Sequence, residues 1–173
     1  LEEAESATRL APRTRAVRDQ VIALERRVVF FDKLTGRHAQ VDVRAARVRT
    51  IPGVGPITAS AIVATIRDGR QFRNGREFAA WLGLTPLNRS SGGKERLGRI
   101  SKKGDQYLRR LLVIGMTSQV QRARKFPDRV HPWILKLLER KPVRLATIAM
   151  ANKAARIIWA VLTSGAEYRR SLA

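Results

Sequence analysis

Cysteine is absent from this chain of 173 residues, which removes disulfides, thiolate metal sites and cysteine nucleophiles together. Acidic residues are scarce: 14 Asp+Glu stand against 35 Lys+Arg, for a net charge of +21 at pH 7. The few carboxylates are scattered, without the clustering that coordination of a divalent cation needs, so no metal site is expected. Aromatic residues make up only 6%. Trp81, Trp133 and Trp159 lie on apolar faces at helical spacing and are expected in the core rather than as base-stacking platforms. Strand-type alternation is rare. Long apolar runs are missing too, and the C-terminal one is broken by Asn152, Lys153 and Arg156, so no transmembrane helix and no membrane partner are expected. The acidic start, Leu1-Glu2-Glu3-Ala4-Glu5, has no signal-peptide pattern, and the lack of an initiator Met is what a fragment or trimmed chain would show.

What remains is a basic, helix-forming chain. Its charge makes a polyanion the default partner, and nucleic acid fits best: phosphate neutralisation releases counterions and gives strong, sequence-tolerant, salt-dependent binding. A hydrophobic content of 44% suffices for one compact core with a helical extension.

Val17, Val21, Leu24, Val28 and Phe31 follow steps of four and three, a heptad seam suited to knob-into-hole packing or to one amphipathic helix lying on its own domain. A loop at 33–38, with Thr35 and Gly36, is expected to reverse the chain before a second segment carrying Val41, Val43, Ala45 and Val48. The expected architecture is all-α: a helical hairpin or coiled-coil arm over 1–48, then a compact helical domain over 49–173. Within that domain Pro56 opens a helix over 57–67, and Asn74 with Glu77 caps a short one ending near Trp81 and Leu82. Asp105 caps a third, striped by Leu108, Leu111, Leu112 and Met116. Residues 122–131 form a connection. Pro132 and Pro142 open the last two helices, and Gly165 stops the chain's final helix.

Two constellations carry chemistry. The first is Ile51-Pro52-Gly53-Val54-Gly55-Pro56, a tight turn between helices with small residues at Ala59 and Ala61, which looks like a helix-hairpin-helix element. Its amides, with Gly53, Val54, Gly55 and Thr58, suit phosphate contact without base reading. The alternative is a turn used only for packing. The second is the run from Leu87 to Asp105, where Ser90-Ser91-Gly92-Gly93 is set among Lys94, Arg96, Arg99, Lys102 and Lys103. Glycine permits close backbone approach, and the cations can stabilise charge on a phosphoryl group. On residue types alone this run is a basic phosphate clamp without a covalent step. Arg109 and Arg110, one turn into the following helix, are expected to face solvent or phosphate. His38 and His131 are expected as surface or capping residues, and no general base is assigned.

The serine run, followed by Tyr107-Leu108-Arg109-Arg110-Leu111-Leu112-Val113-Ile114-Gly115, closely resembles the C-terminal domain of the insertion-sequence transposases of the one-ten and eleven-eleven groups, the bridge-RNA-guided DNA recombinases. The Gly-Val-Gly turn and the segment from Ala149 to Trp159 match in the same order. The resemblance implies that Ser91, directly before Gly92, attacks a DNA phosphodiester and forms a covalent phosphoserine. It also implies DNA and a guide RNA as partners, a homo-oligomer through the arm, and a bacterial cytoplasmic, nucleoid-associated setting. Those enzymes carry an N-terminal RuvC-like domain with four metal-binding acidic residues. This sequence supplies none of it, so Mg²⁺ is expected only in that absent domain, and the chain alone is expected to bind nucleic acid without recombining it. The alternatives are a non-catalytic helix-hairpin-helix DNA- or RNA-binding module and an assembly domain.

Overall fold

The structure, a computed structural model, describes residues 2–88 and 97–169. It is predominantly helical, as expected, and divides into two compact units, Leu1–Arg37 and His38–Ala173. The described residues of the first unit belong to helix α1, Glu2–Val41. Val17, Val21, Leu24, Val28 and Phe31 are all exposed there, at 61, 47, 49, 59 and 53%.

The expected reversal at 33–38 is absent: α1 runs straight through it. The Thr35 hydroxyl donates to the Phe31 carbonyl oxygen one turn back at 2.7 Å. A single interior glycine costs a helix only about 1 kcal/mol, too little to end it. The break falls instead at Asp42, whose carboxylate accepts from the Arg44 and Ala45 amides and starts helix α2, Val43–Arg49. Residues 38–48 contribute Ala39, Ala45 and Val48 to the core of the second unit.

That unit is built on α3 (Pro56–Thr65), α4 (Gly75–Trp81), α5 (Gln106–Lys125), α6 (Pro132–Arg140) and α7 (Val143–Ser164). The caps read from sequence are in place. Asn74 Oδ1 accepts from the Arg76 and Glu77 amides, while Glu77 Oε2 accepts from the Arg73 amide at 2.7 Å. Asp105 accepts from the Leu108 amide at 2.8 Å, and Gly165 ends α7 in the left-handed region. Helix α5 extends to Lys125, past the expected start of the connection at 122, because Ala123 and Val120 continue its buried stripe.

Helix α7 corrects one expectation. By length and composition it could cross a bilayer, and the polar interruptions at Asn152, Lys153 and Arg156 do not alter that. What places it is packing: Met150, Ala151, Ala155 and Ile158 are buried where it meets α4 and α5. Phe72, Phe78 and Trp81 form an aromatic cluster with ring centroids 5.1 to 6.0 Å apart. The Trp159 indole donates to the Gly69 and Phe72 carbonyl oxygens. All three tryptophans pack against the core while staying partly open.

Candidate nucleic-acid interface

Between α4 and α5 the chain forms a two-stranded antiparallel ribbon, β1 (Pro86–Asn88) with β2 (Leu97–Ile100), which the sequence reading did not include. Strands of three and four residues are too short to show a period-two pattern. The register pairs Pro86 with Ile100 and Asn88 with Leu97. Thus the chain leaves the ribbon at Asn88 and rejoins it opposite, and Ser90, Ser91, Lys94 and Arg96, in the intervening 89–96, lie outside the described residues.

The root of the ribbon is fixed by backbone contacts. The Ser101 amide donates to Thr85 O at 2.9 Å and the Lys102 amide to Gly83 O at 3.2 Å. Lys102 itself sits at φ 56, a conformation that non-glycine residues adopt at a cost. Gly104, at φ 99, packs on the Trp81 carbonyl so closely that a Cβ would overlap it. These constraints set Lys102 and Lys103, both exposed, directly before the N-terminus of α5. Arg99 and Arg110 are exposed as well. Arg109 is half-buried, and its Nη1 donates to Leu82 O at 2.9 Å, closing the end of α4. That bond across 27 residues of sequence engages part of the guanidinium expected to face solvent or phosphate.

The Gly-Val-Gly turn joins α2 to α3, which pack on each other. Gly53, at φ 85, crosses α5 so closely that a Cβ on Gly115 would overlap the Gly53 carbonyl oxygen. Val54 and Thr58 are buried, at 7 and 6% exposure, so neither offers its side chain to a phosphate. Gly55 is exposed, caps α3 without a side-chain bond, and is followed by Pro56 in the first turn. The turn thus lies against α5 while the ribbon's root leads into the start of α5, and they present different groups: bare backbone at one, long cations at the other.

His131 caps α6, its Nδ1 accepting from the Trp133 amide at 3.1 Å. His38 Nδ1 lies 3.0 Å from Ser60 Oγ. A further patch escaped the sequence reading: Phe126, 42% exposed, holds Lys125 Nζ at 5.5 Å and Arg129 Cζ at 5.3 Å from its ring centroid. Its signal was the cation-aromatic-cation spacing after Pro127 is discounted as a mere breaker. Among the described residues the ion pairs are Arg18–Asp19, Arg44–Asp42 and Arg70–Asp68, all between near neighbours. These pairs engage only a few of the chain's 35 Lys+Arg. No three His, Asp or Glu side chains come together among the described residues as a metal site would require.

These residues build a basic, predominantly helical domain with a short antiparallel ribbon just ahead of its central helix. The chain belongs to the transposase IS116/IS110/IS902 family, whose model matches residues 45–131, from α2 through the ribbon and α5. It is 44% identical over 155 residues to a probable family 20 transposase of Pseudomonas aeruginosa, covering 90% of this chain and 46% of that protein. It is 46% identical over 141 residues to a putative transposase, y4pF/y4sB, of Sinorhizobium fredii, covering 81% and 36%. To the transposase for insertion sequence element IS1111A of Coxiella burnetii it is 40% identical over 131 residues, covering 76% and 36%. The chain thus spans less than half the length of these relatives.

Proposed function

We propose that this chain is the serine-bearing portion of a DNA transposase that cuts and rejoins strands through a phosphoserine. Supporting this are the residues on either side of 89–96: Asn88 and Leu97 pair in the ribbon, whose root carries Lys102 and Lys103 just before the N-terminus of α5. Ser91 Oγ attacks phosphorus, the bond to one bridging deoxyribose oxygen breaks, and the serine proton is lost as the departing oxygen takes one up. The phosphoserine ester conserves the bond for reversal onto a second strand end. Arg99, Lys102, Lys103 and Arg110, with Lys94 and Arg96 in the loop, stabilise the phosphoryl oxygens. The Gly53-Val54-Gly55 backbone and the start of α3 hold a phosphate away from the reacting one.

The remaining parts of the proposal are a guide RNA that chooses the target, self-association through α1, an acidic partner domain that supplies Mg²⁺, and a bacterial cytoplasmic location close to the nucleoid.

The test is covalent trapping. The chain is joined to a family acidic domain with Mg²⁺, guide RNA and DNA, and wild type, Ser91→Ala and Ser90→Ala are compared on denaturing gels. An adduct lost only with Ser91→Ala is the expected result. Loss only with Ser90→Ala moves the nucleophile by one residue. A bound, otherwise competent complex that yields no adduct leaves the loop as a non-covalent phosphate clamp.

A further inference from the structure

On the side of α5 where Met116 and Gln119 lie, the turn at Gly53, the start of α6 and the middle of α7 enclose a cavity of about 380 Å³. That is within the range, roughly 300–1,000 Å³, of sites that engulf a small molecule. Its floor is apolar, formed by Ile51, Met116, Met150 and Ala154, all nearly fully buried. Trp133 and Tyr168, each half-buried, contribute aromatic walls. Arg49, Arg122, Arg129 and Lys153 also line it, and no carboxylate stands among the described lining residues.

Each feature narrows the ligand. Cations around an apolar floor, with no acidic residue among the described lining residues, favour an anion that also carries an apolar body. Lys153 Nζ rests 3.9 Å from the Trp133 ring centroid, within reach of a cation–π attraction. A phosphate offers that ammonium a stronger, charge-assisted partner, and its departure opens the indole face to a flat ring. His131 Nδ1 is occupied by the Trp133 amide, which fixes the base of the indole and leaves the other ring nitrogen as a donor among the lining groups. At the rim, Arg129 also touches Phe126, so the cation-aromatic patch at the end of α5 leads into the cavity.

We propose that this cavity receives one unpaired nucleotide of a nucleic-acid strand. Its base lies between Trp133 and Tyr168 over the methionine floor, and its phosphate meets Arg122, Arg129 and Lys153. A base still in the duplex shows only its edges, so the occupant is unstacked, as in a bulge, loop or strand end. This inference rests on the nucleic-acid reading above, adds a site built on residues other than those of the serine run, and reverses the expectation that Trp133 is purely a core residue.

The probe is a short duplex carrying one bulged 2-aminopurine, compared with the fully paired duplex, each as DNA and as RNA, and with adenosine monophosphate alone. The bulged form is expected to bind the chain roughly tenfold tighter than the paired form, with its fluorescence quenched by stacking. Trp133→Leu and Lys153→Met are each expected to abolish that preference, and the paired duplex stays bound. Lys153→Met keeps the bulk of the side chain and decides the matter if Trp133→Leu melts early. A bulged-form preference confined to DNA or to RNA supports the site and identifies the strand. Equal binding of bulged and paired duplexes, or a preference that survives both variants, overturns the pocket alone. Failure to bind any of the duplexes overturns the nucleic-acid reading with it. Tryptophan quenching by adenosine monophosphate without a bulge preference overturns the strand-borne occupant in favour of a free nucleotide.

Discussion

Asp42 shows how much one side chain decides. It starts α2 by accepting from two backbone amides, and its second oxygen meets Arg44 Nη2 at 2.8 Å. The same guanidinium donates to Arg67 O at 2.8 Å, tying the start of α2 to the chain beyond α3. The bond from Arg44, joined by the two amides and opposed by burial, lowers the Asp42 carboxyl from 3.8 to about 2. Asp42→Ala is expected to cost about 1 kcal/mol, the usual worth of an N-cap, since a half-exposed ion pair adds little. Because the folded-state value is depressed, this stabilisation is complete above 3.8 and is lost as the pH falls towards about 2. Thermal melts of wild type and variant should therefore differ at neutral pH and converge in acid. A gap that persists below pH 2 would show that the lost contact is not the ionised carboxylate. Gly115 makes the complementary point. In the sequence it is one weak residue inside a helix; in the fold it is where the Gly53 carbonyl crosses α5, so no residue with a Cβ fits there without moving the turn.

Among the elements, the helices were legible because their signals are local. Asn74, Asp105, Pro132 and Gly165 each act on amides or carbonyls within a few residues, and each stands at the helix end where the sequence put it. The ribbon and the uninterrupted α1 were not legible. The ribbon's root is held where Gly83 and Thr85 receive hydrogen bonds from residues 102 and 101, a pairing that no local pattern encodes. Thr35 and Gly36 resemble a turn in composition, yet a threonine whose hydroxyl can reach back one turn fits either state. The arm that results exposes Val21 and Val28, at 47 and 59%, on a face suited to a second helix. Replacing both with Glu is expected to abolish concentration-dependent self-association in sedimentation and leave nucleic-acid affinity largely intact. A wild-type chain that stays monomeric at all concentrations would remove the arm from the proposed oligomer.

For the molecule as a whole, a net charge of +21 with only short-range ion pairs among the described residues predicts binding dominated by counterion release. Affinity for a paired duplex is expected to fall by roughly three to five orders of magnitude between 50 and 200 mM salt if six to ten phosphates are contacted. A nearly flat salt dependence in a fluorescence titration would mean that the charge serves some other purpose. The sequence by itself determined the helical class, the caps, the basic character and the family resemblance, because composition, capping and residue order act over short spans of chain. Tertiary structure alone decided that Thr58 and Val54 turn inward, that Arg109 closes α4, that Asn88 pairs with Leu97, and that Trp133 borders a cavity. Each of those depends on residues far apart in the chain meeting in space, and the spacing of side chains along one strand of sequence carries no record of such meetings.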